Sequence, residues 1–216
     1  MTDIILFDLD GTLTDPKEGI ITCVKYALSS VGIDERDETR LMSFIGPPLR
    51  DSFRDLYGFD EERAAQLVEK YRERFSVKGL FENRLYDGAA GMLAALKDAG
   101  KRMALATSKP RVFAQRIAER YGILKYFDVM TPAELDGRYD YKSEVISYIL
   151  EKLGIPDKNR VIMVGDRSQD IEGAKACGIR SVGVRFGYAE PGELESAGAD
   201  YICGTMDELR SLLLSM

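Results

Sequence analysis

Two pairs of aspartates carry the chemistry this sequence offers. Asp8 and Asp10 lie in the run Phe7-Asp8-Leu9-Asp10-Gly11-Thr12-Leu13, and Asp166 and Asp170 lie in Gly165-Asp166-Arg167-Ser168-Gln169-Asp170. Histidine is missing from the chain. Its absence removes Ser-His-Asp triads, Cys-His pairs and His-Glu-x-x-His zinc sites together. Acid and base roles then fall to carboxylates, lysine, tyrosine or metal-bound water. Carboxylates gathered at one place repel one another and raise their own pKa values. A hard divalent cation relieves this, and Mg²⁺ suits it best: it takes oxygen ligands in an octahedron and is usually shared with a substrate phosphate. A calcium loop does not fit. Counted from Asp8, its sixth and twelfth positions would be Leu13 and Gly19, where such a loop needs Gly and Glu. Neither a Gly-x-x-x-x-Gly-Lys-Ser/Thr loop nor a Gly-x-Gly-x-x-Gly fingerprint occurs. Cys23, Cys177 and Cys203 are odd in number and far apart, which opposes a disulfide framework or a zinc ribbon and suits a reducing compartment.

The elements that must position these aspartates are legible as short apolar runs. Residues 4–8 form one, ending in an acidic residue just before Gly11. Residues 103–107, 161–166 and 181–184 are three more. Continuous apolar runs of this length read as strands buried on both faces, which belong to parallel sheets. Amphipathic helical stretches lie beside them at 89–99, 113–121 and 143–153. The alternation predicts an α/β fold, a right-handed doubly wound parallel sheet. Residues 15–86 break the rhythm. They are helical throughout, with helices expected at 20–31, 49–57 and 61–75 and an interruption at Gly46-Pro47-Pro48. The expected organisation is therefore an α/β core made of 1–14 and 87–216, with a helical cap, 15–86, inserted after the first strand.

Ligands of open α/β sheets bind beyond the carboxyl ends of the strands. Asp8 and Asp10 stand at the first such end, Thr107 at the second and Asp166 at the third. Asp170 follows in the first turn of the next helix if Ser168 is its cap. Four carboxylates thus converge on one rim.

Composition narrows the partners. Of 216 residues, 45% are hydrophobic and 31% charged, ordinary for a globular protein. The net charge of -6 comes without a basic stripe, so no nucleic-acid polymer is expected as a partner. No run approaches the roughly 18 apolar residues of a membrane span, and the N-terminal apolar run lacks the length and basic flank of a signal peptide. A cytoplasmic protein acting on a small molecule is expected.

These motifs together resemble those of the haloacid dehalogenase-like superfamily. Asp8-Leu9-Asp10-Gly11-Thr12-Leu13 is similar to its first motif, Thr107 to its second, Lys142 to its third and Gly165-Asp166-x-x-x-Asp170 to its fourth, in the family's order and across the whole chain. The resemblance implies Asp8 as the nucleophile that forms an aspartyl-phosphate, with Asp10 as its acid/base partner. It implies Mg²⁺ held by Asp8, the Asp10 backbone carbonyl and Asp166, with Asp170 binding directly or through water. It implies phosphoryl oxygens bound by Thr107 and Lys142, with Lys109 as the competing lysine. Lys109 is read as part of the first turn of a helix begun by Ser108 and Pro110. The helical insert resembles the family's small cap, and Arg50 and Lys17 are its candidates for substrate specificity. Tyr57, Tyr71 and Phe75, at helical spacing, are read as cap core. Within the superfamily the sequence is similar to the phosphoglycolate phosphatase branch and to bacterial 5′-nucleotidases. The implied reaction is hydrolysis of a small phosphorylated metabolite, with nucleoside 5′-monophosphates and phosphoglycolate first. A β-phosphoglucomutase-like isomerase and a non-catalytic binding protein on the same fold are the alternatives.

Overall fold

β1 (Ile4–Phe7) has four buried side chains, as a strand covered on both faces must. The computed structural model, which describes residues 2–216, continues with β2 (Thr14–Asp15), α1 (Lys17–Ser29), α2 (Glu38–Met42), α3 (Leu49–Tyr57) and α4 (Glu61–Phe75). After β3 (Arg84–Leu85) the rhythm of strand and helix begins. The elements are α5 (Ala89–Asp98), β4 (Arg102–Leu105), α6 (Arg111–Arg120), β5 (Val129–Met130), α7 (Lys142–Leu153), β6 (Val161–Gly165), α8 (Ser168–Ala176), β7 (Arg180–Val184), α9 (Glu193–Ala197), β8 (Tyr201–Cys203) and α10 (Met206–Ser215).

Six strands form a parallel sheet in the order β5-β4-β1-β6-β7-β8. The expected doubly wound sheet is the one that forms. The chain works outward from β1 to one edge, then returns to β1 and works outward to the other. Such a reversal leaves a crevice at the carboxyl ends of the strands flanking it, here β1 and β6. Register sets the depth of what stands there. Phe7 is level with Leu105 of β4 and with Val164 of β6, and the Asp8 amide donates to the Val164 carbonyl at 2.9 Å. One side of the sheet packs on α7 and α8 through Ile4, Leu6, Ala104, Val145, Ile149, Met163 and Ala174.

The chain divides into two compact units. One comprises Met1–Asp15 and Leu85–Met216, and the other Pro16–Arg84. The second is helical. α1 and α4 are its main pair, and Gly19 allows α1 to approach closely, since a Cβ there would lie 2.1 Å from the Gly79 carbonyl oxygen. Tyr71 stacks on Phe75 with ring centroids 5.1 Å apart, and both are buried. Phe44 meets Phe53 edge-on at 4.9 Å. Tyr57 is half-buried, with its hydroxyl on Glu35 at 2.8 Å. Arg74 donates to both oxygens of Glu82, at 2.6 and 2.7 Å.

Several elements differ from the sequence expectation. The edge strands β5 and β8 have two and three residues, and of these only Cys203 is buried, so no apolar run marks them. The short pair β2 and β3 forms a second sheet, and two residues are too few for a period. α2 is announced by Asp37, whose carboxylate accepts from the amides of Thr39 and Arg40. α1 starts three residues ahead of the expected 20–31, directly after Pro16. Among the described residues no helix is long and apolar enough to cross a membrane.

Candidate active site

The first carboxylate is Asp8, the residue that follows β1. Its Oδ1 lies 2.7 Å from Lys142 Nζ. Lys142 opens α7 and is buried, at 8% exposed. Its ammonium also reaches Asp170 Oδ1 at 2.7 Å and the Ala106 carbonyl at 2.9 Å. An ammonium has three protons to give, and this one has three oxygens around it. Burial draws its pKa down, but Asp170 and Asp8 outweigh that, so it stays above the usual lysine value.

Asp10 follows two residues on and is also buried. Its Oδ2 lies 2.6 Å from Lys109 Nζ. Its Oδ1 is buried and accepts no hydrogen bond among the described residues. Burial pushes its pKa up, and the Lys109 ammonium works against that without cancelling it. Lys109 therefore enters the site, contrary to its reading as part of a helix's first turn. α6 starts at Arg111 with Pro110 as its N-cap, so Lys109 stands in the loop before it. That loop is braced. The Lys109 amide donates to Thr107 Oγ1 at 3.2 Å, and Thr131 Oγ1 donates to the Thr107 carbonyl at 2.6 Å.

Asp166 follows β6 and is fully buried. Thr12 Oγ1 donates to its Oδ1 at 3.2 Å and the Tyr188 amide to its Oδ2 at 2.8 Å. Burial, with Asp170 and Asp8 adding their charge, raises its pKa well above the ordinary value. Asp170 lies in the first turn of α8, as expected, but the N-cap is Arg167 and not Ser168. The Arg167 amide donates to Asp170 Oδ2 at 3.1 Å. Burial pushes the Asp170 carboxyl up to about 6, against the pull of Lys142.

The structure thus brings together Asp8, Asp166 and Asp170, which offer carboxylate oxygens within 4.8 Å of one another. Asp10 and Thr107 stand on the same rim. Counting Asp8, Asp10, Asp166 and Asp170 against Lys109 and Lys142, four formal negative charges face two positive ones. Two negative charges remain, and every donor is a hard oxygen. A divalent hard cation fits that deficit in charge and in chemistry.

Glycine makes the crowding possible. Gly11 has φ +82, and a Cβ there would lie 2.0 Å from Asp166 Oδ2. A Cβ on Gly187 would lie 2.3 Å from Asp166 Cβ, and one on Gly165 would lie 2.1 Å from Asp170 Cγ. Gly173 does the same for the helix pair, since its Cβ would press Lys142 Cβ at 2.9 Å. Sequence reasoning missed Thr12, Gly187 and Tyr188. Thr12 sits inside the first motif, where a signal was available. Gly187 and Tyr188 come from the loop after β7, and nothing in their local sequence marks them. The Tyr188 hydroxyl also donates to Asp15. Arg50 and Lys17 belong to the helical unit. There Arg50 pairs with Glu61 at 2.9 Å, and Lys17 begins α1 as an exposed residue.

Residues 5–184 match the sequence profile described as haloacid dehalogenase-like hydrolase. A 5′-nucleotidase of Pseudomonas aeruginosa is 45% identical over 211 residues, covering 98% of this chain and 95% of that protein. The tyrosine-protein kinase PtkA of Mycobacterium tuberculosis is 37% identical over 97% of this chain and 72% of its own length. Among solved structures, a predicted phosphatase from Clostridium acetobutylicum is 44% identical and superposes with a TM-score of 0.97, with both chains covered in full.

Gly11→Ala is expected to cost about 1–3 kcal/mol of stability, because the methyl overpacks Asp166 and the backbone at φ +82 resists a side chain. Thermal or denaturant unfolding beside the parent protein checks this, and an unchanged midpoint would show that Asp166 has room to move.

Proposed function

Since the chain belongs to the haloacid dehalogenase-like hydrolase family, we propose that it is a Mg²⁺-dependent phosphatase of small phosphomonoesters, with nucleoside 5′-monophosphates the first substrates to try and phosphoglycolate the second. The observation that carries this reading is the paired placement of Asp8 and Asp10, each against a buried ammonium, beside the Asp166 and Asp170 carboxylates. The 45% identity to a protein named 5′-nucleotidase supports the choice of nucleotides.

The proposed reaction has two steps. A carboxylate oxygen of Asp8 attacks phosphorus as the ester oxygen leaves on the opposite side, which gives an aspartyl-phosphate. Asp10 supplies a proton to the departing alkoxide. It then takes a proton from a water molecule whose oxygen attacks phosphorus, and the Asp8 carboxylate and inorganic phosphate are released. The Thr107 hydroxyl and the Lys142 charge face the transferring phosphoryl oxygens. Lys142 also orients Asp8, through the contact at 2.7 Å. Asp8, the Asp10 backbone carbonyl and Asp166 would hold Mg²⁺. Asp170 adds its charge, with its two oxygens already on Lys142 and the Arg167 amide. When bound, the ion neutralises charge on the phosphoryl group. The helical unit is the proposed cap, residues 15–86. Its Arg50 and Lys17 are the proposed contacts for a polar or anionic leaving group.

Asp8→Asn is expected to abolish turnover and leave the fold intact, because an amide does not attack phosphorus. Phosphate release and circular dichroism check this, and full activity in the variant would overturn the mechanism. In the same assay, β-glucose 1-phosphate converted to glucose 6-phosphate without free phosphate would replace the hydrolase by an isomerase. Mg²⁺ at a hundred times its Kd should stabilise the protein by about 2.7 kcal/mol, and Asp166→Ala should lose that gain. A melting temperature indifferent to Mg²⁺ and to chelator would remove the metal from the reading. Arg50→Ala should shift preference among nucleotides and phosphoglycolate by about tenfold while p-nitrophenyl phosphate turnover holds. Equal losses on every ester would take Arg50 out of specificity.

A further inference from the structure

Lys109 occupies a position that the two-step scheme does not use. Its side chain is 7% exposed, and the loop that carries it is fixed at several points. The Thr107 hydroxyl oxygen accepts its amide proton, Thr131 clamps the Thr107 carbonyl, and the Arg111 amide donates to the Ala133 carbonyl at 2.8 Å. Pro110 follows it directly and restricts the backbone further. From this rigid mount the ammonium meets Asp10 Oδ2 at 2.6 Å. The other oxygen, Oδ1, is buried and accepts no hydrogen bond among the described residues.

A carboxyl group that gives and takes a proton needs one oxygen committed and the other available. An ammonium only donates, so it disfavours a proton on the oxygen it holds. It also stops the two oxygens from exchanging by rotation about the Cβ–Cγ bond. We propose that Lys109 is a positioning residue that holds Asp10 by Oδ2, so that Oδ1 is the atom that passes the proton to the leaving group. The inference rests on the phosphatase reading above and assigns to Lys109 a role distinct from that of a phosphate ligand. In the first step the Oδ1–H bond breaks as the ester P–O bond breaks, and the proton goes to the departing oxygen. In the second step Oδ1 takes a proton from water as the water oxygen bonds to phosphorus and the aspartyl P–O bond breaks.

The two roles for Lys109 differ in their dependence on the leaving group. A positioning residue matters most where the departing oxygen is strongly basic and needs the proton. A phosphate ligand matters equally for every ester, since the phosphoryl group is the same. The experiment measures kcat/KM of the full-length protein with Mg²⁺ for p-nitrophenyl, phenyl and simple alkyl phosphates, because kcat/KM covers the steps through cleavage of the ester bond. Lys109→Met should lose about ten- to a hundredfold on alkyl phosphates and less than about threefold on p-nitrophenyl phosphate, so that the dependence on leaving-group pKa steepens. Lys109→Arg keeps a buried cation and should restore part of the loss on alkyl esters. Lys109→Gln serves as a second neutral variant if the methionine variant fails to fold. The same fractional loss on all three esters, or no loss on the alkyl phosphates, overturns the positioning role while leaving the phosphatase reading in place. A folded parent protein that releases phosphate from none of these esters or from nucleotides overturns that reading, and the assignment of Lys109 with it.

Discussion

Repulsion among buried carboxylates is the constraint around which this molecule is arranged. Asp8, Asp166 and Asp170 hold oxygens within 4.8 Å of one another, and each of the three residues is buried. Two unit charges at such a distance repel by about 3 kcal/mol at an effective dielectric constant of about 20. The high pKa directions of Asp166, Asp170 and Asp10 follow, with burial as the first cause in every case. Folding brings these groups together because other terms outweigh the repulsion. The apolar strands β1, β4 and β6 are buried from end to end apart from Arg102, and their register fixes where the residues that follow them stand.

The lysines share in containing the repulsion, each at its own station. Lys142 reaches the middle of the cluster from the first position of α7, and Gly173 lets α8 come close enough for that. Lys109 reaches Asp10 from a loop tied to Thr107 and Thr131. Cations placed one on each aspartate of the first motif give the two carboxylates different surroundings. Asp8 has its neighbour beside Oδ1 and also shares that lysine with Asp170, whereas Asp10 keeps one oxygen that accepts no hydrogen bond among the described residues. The negative charge that remains is what suits the site to a hard divalent cation.

Backbone supplies what side chains cannot in so small a space. The Tyr188 and Arg167 amides each donate a hydrogen bond to a carboxylate. A backbone donor adds no side-chain bulk, and charge-assisted bonds of this kind are the stronger ones. Gly11, Gly165 and Gly187 leave out the one atom that would collide with Asp166 or Asp170. A site of this density is therefore as much a matter of missing methyl groups as of acidic ones.

Much of this was legible in the sequence, for identifiable reasons. The central strands are continuous apolar runs, and each ends on a polar residue, so Asp8, Thr107 and Asp166 declared their place at the carboxyl ends. The missing histidines and the spacing of Asp8 from Asp10 narrowed the chemistry. Helices α3 and α4 appear where Pro47-Pro48 and the apolar period put them. Local sequence did not decide which lysine meets which carboxylate. Lys142 and Lys109 are both next to ordinary helix-start residues, and only the packing of α7 on α8 and the bracing of the Thr107 loop turn them inward. Nor did it reveal Gly187 and Tyr188, which reach Asp166 from a loop more than twenty positions away in sequence. Strand ends are set by short-range apolar patterning, which one sequence carries. The pairing of charges across a sheet depends on contacts between distant segments, and only the folded chain creates those.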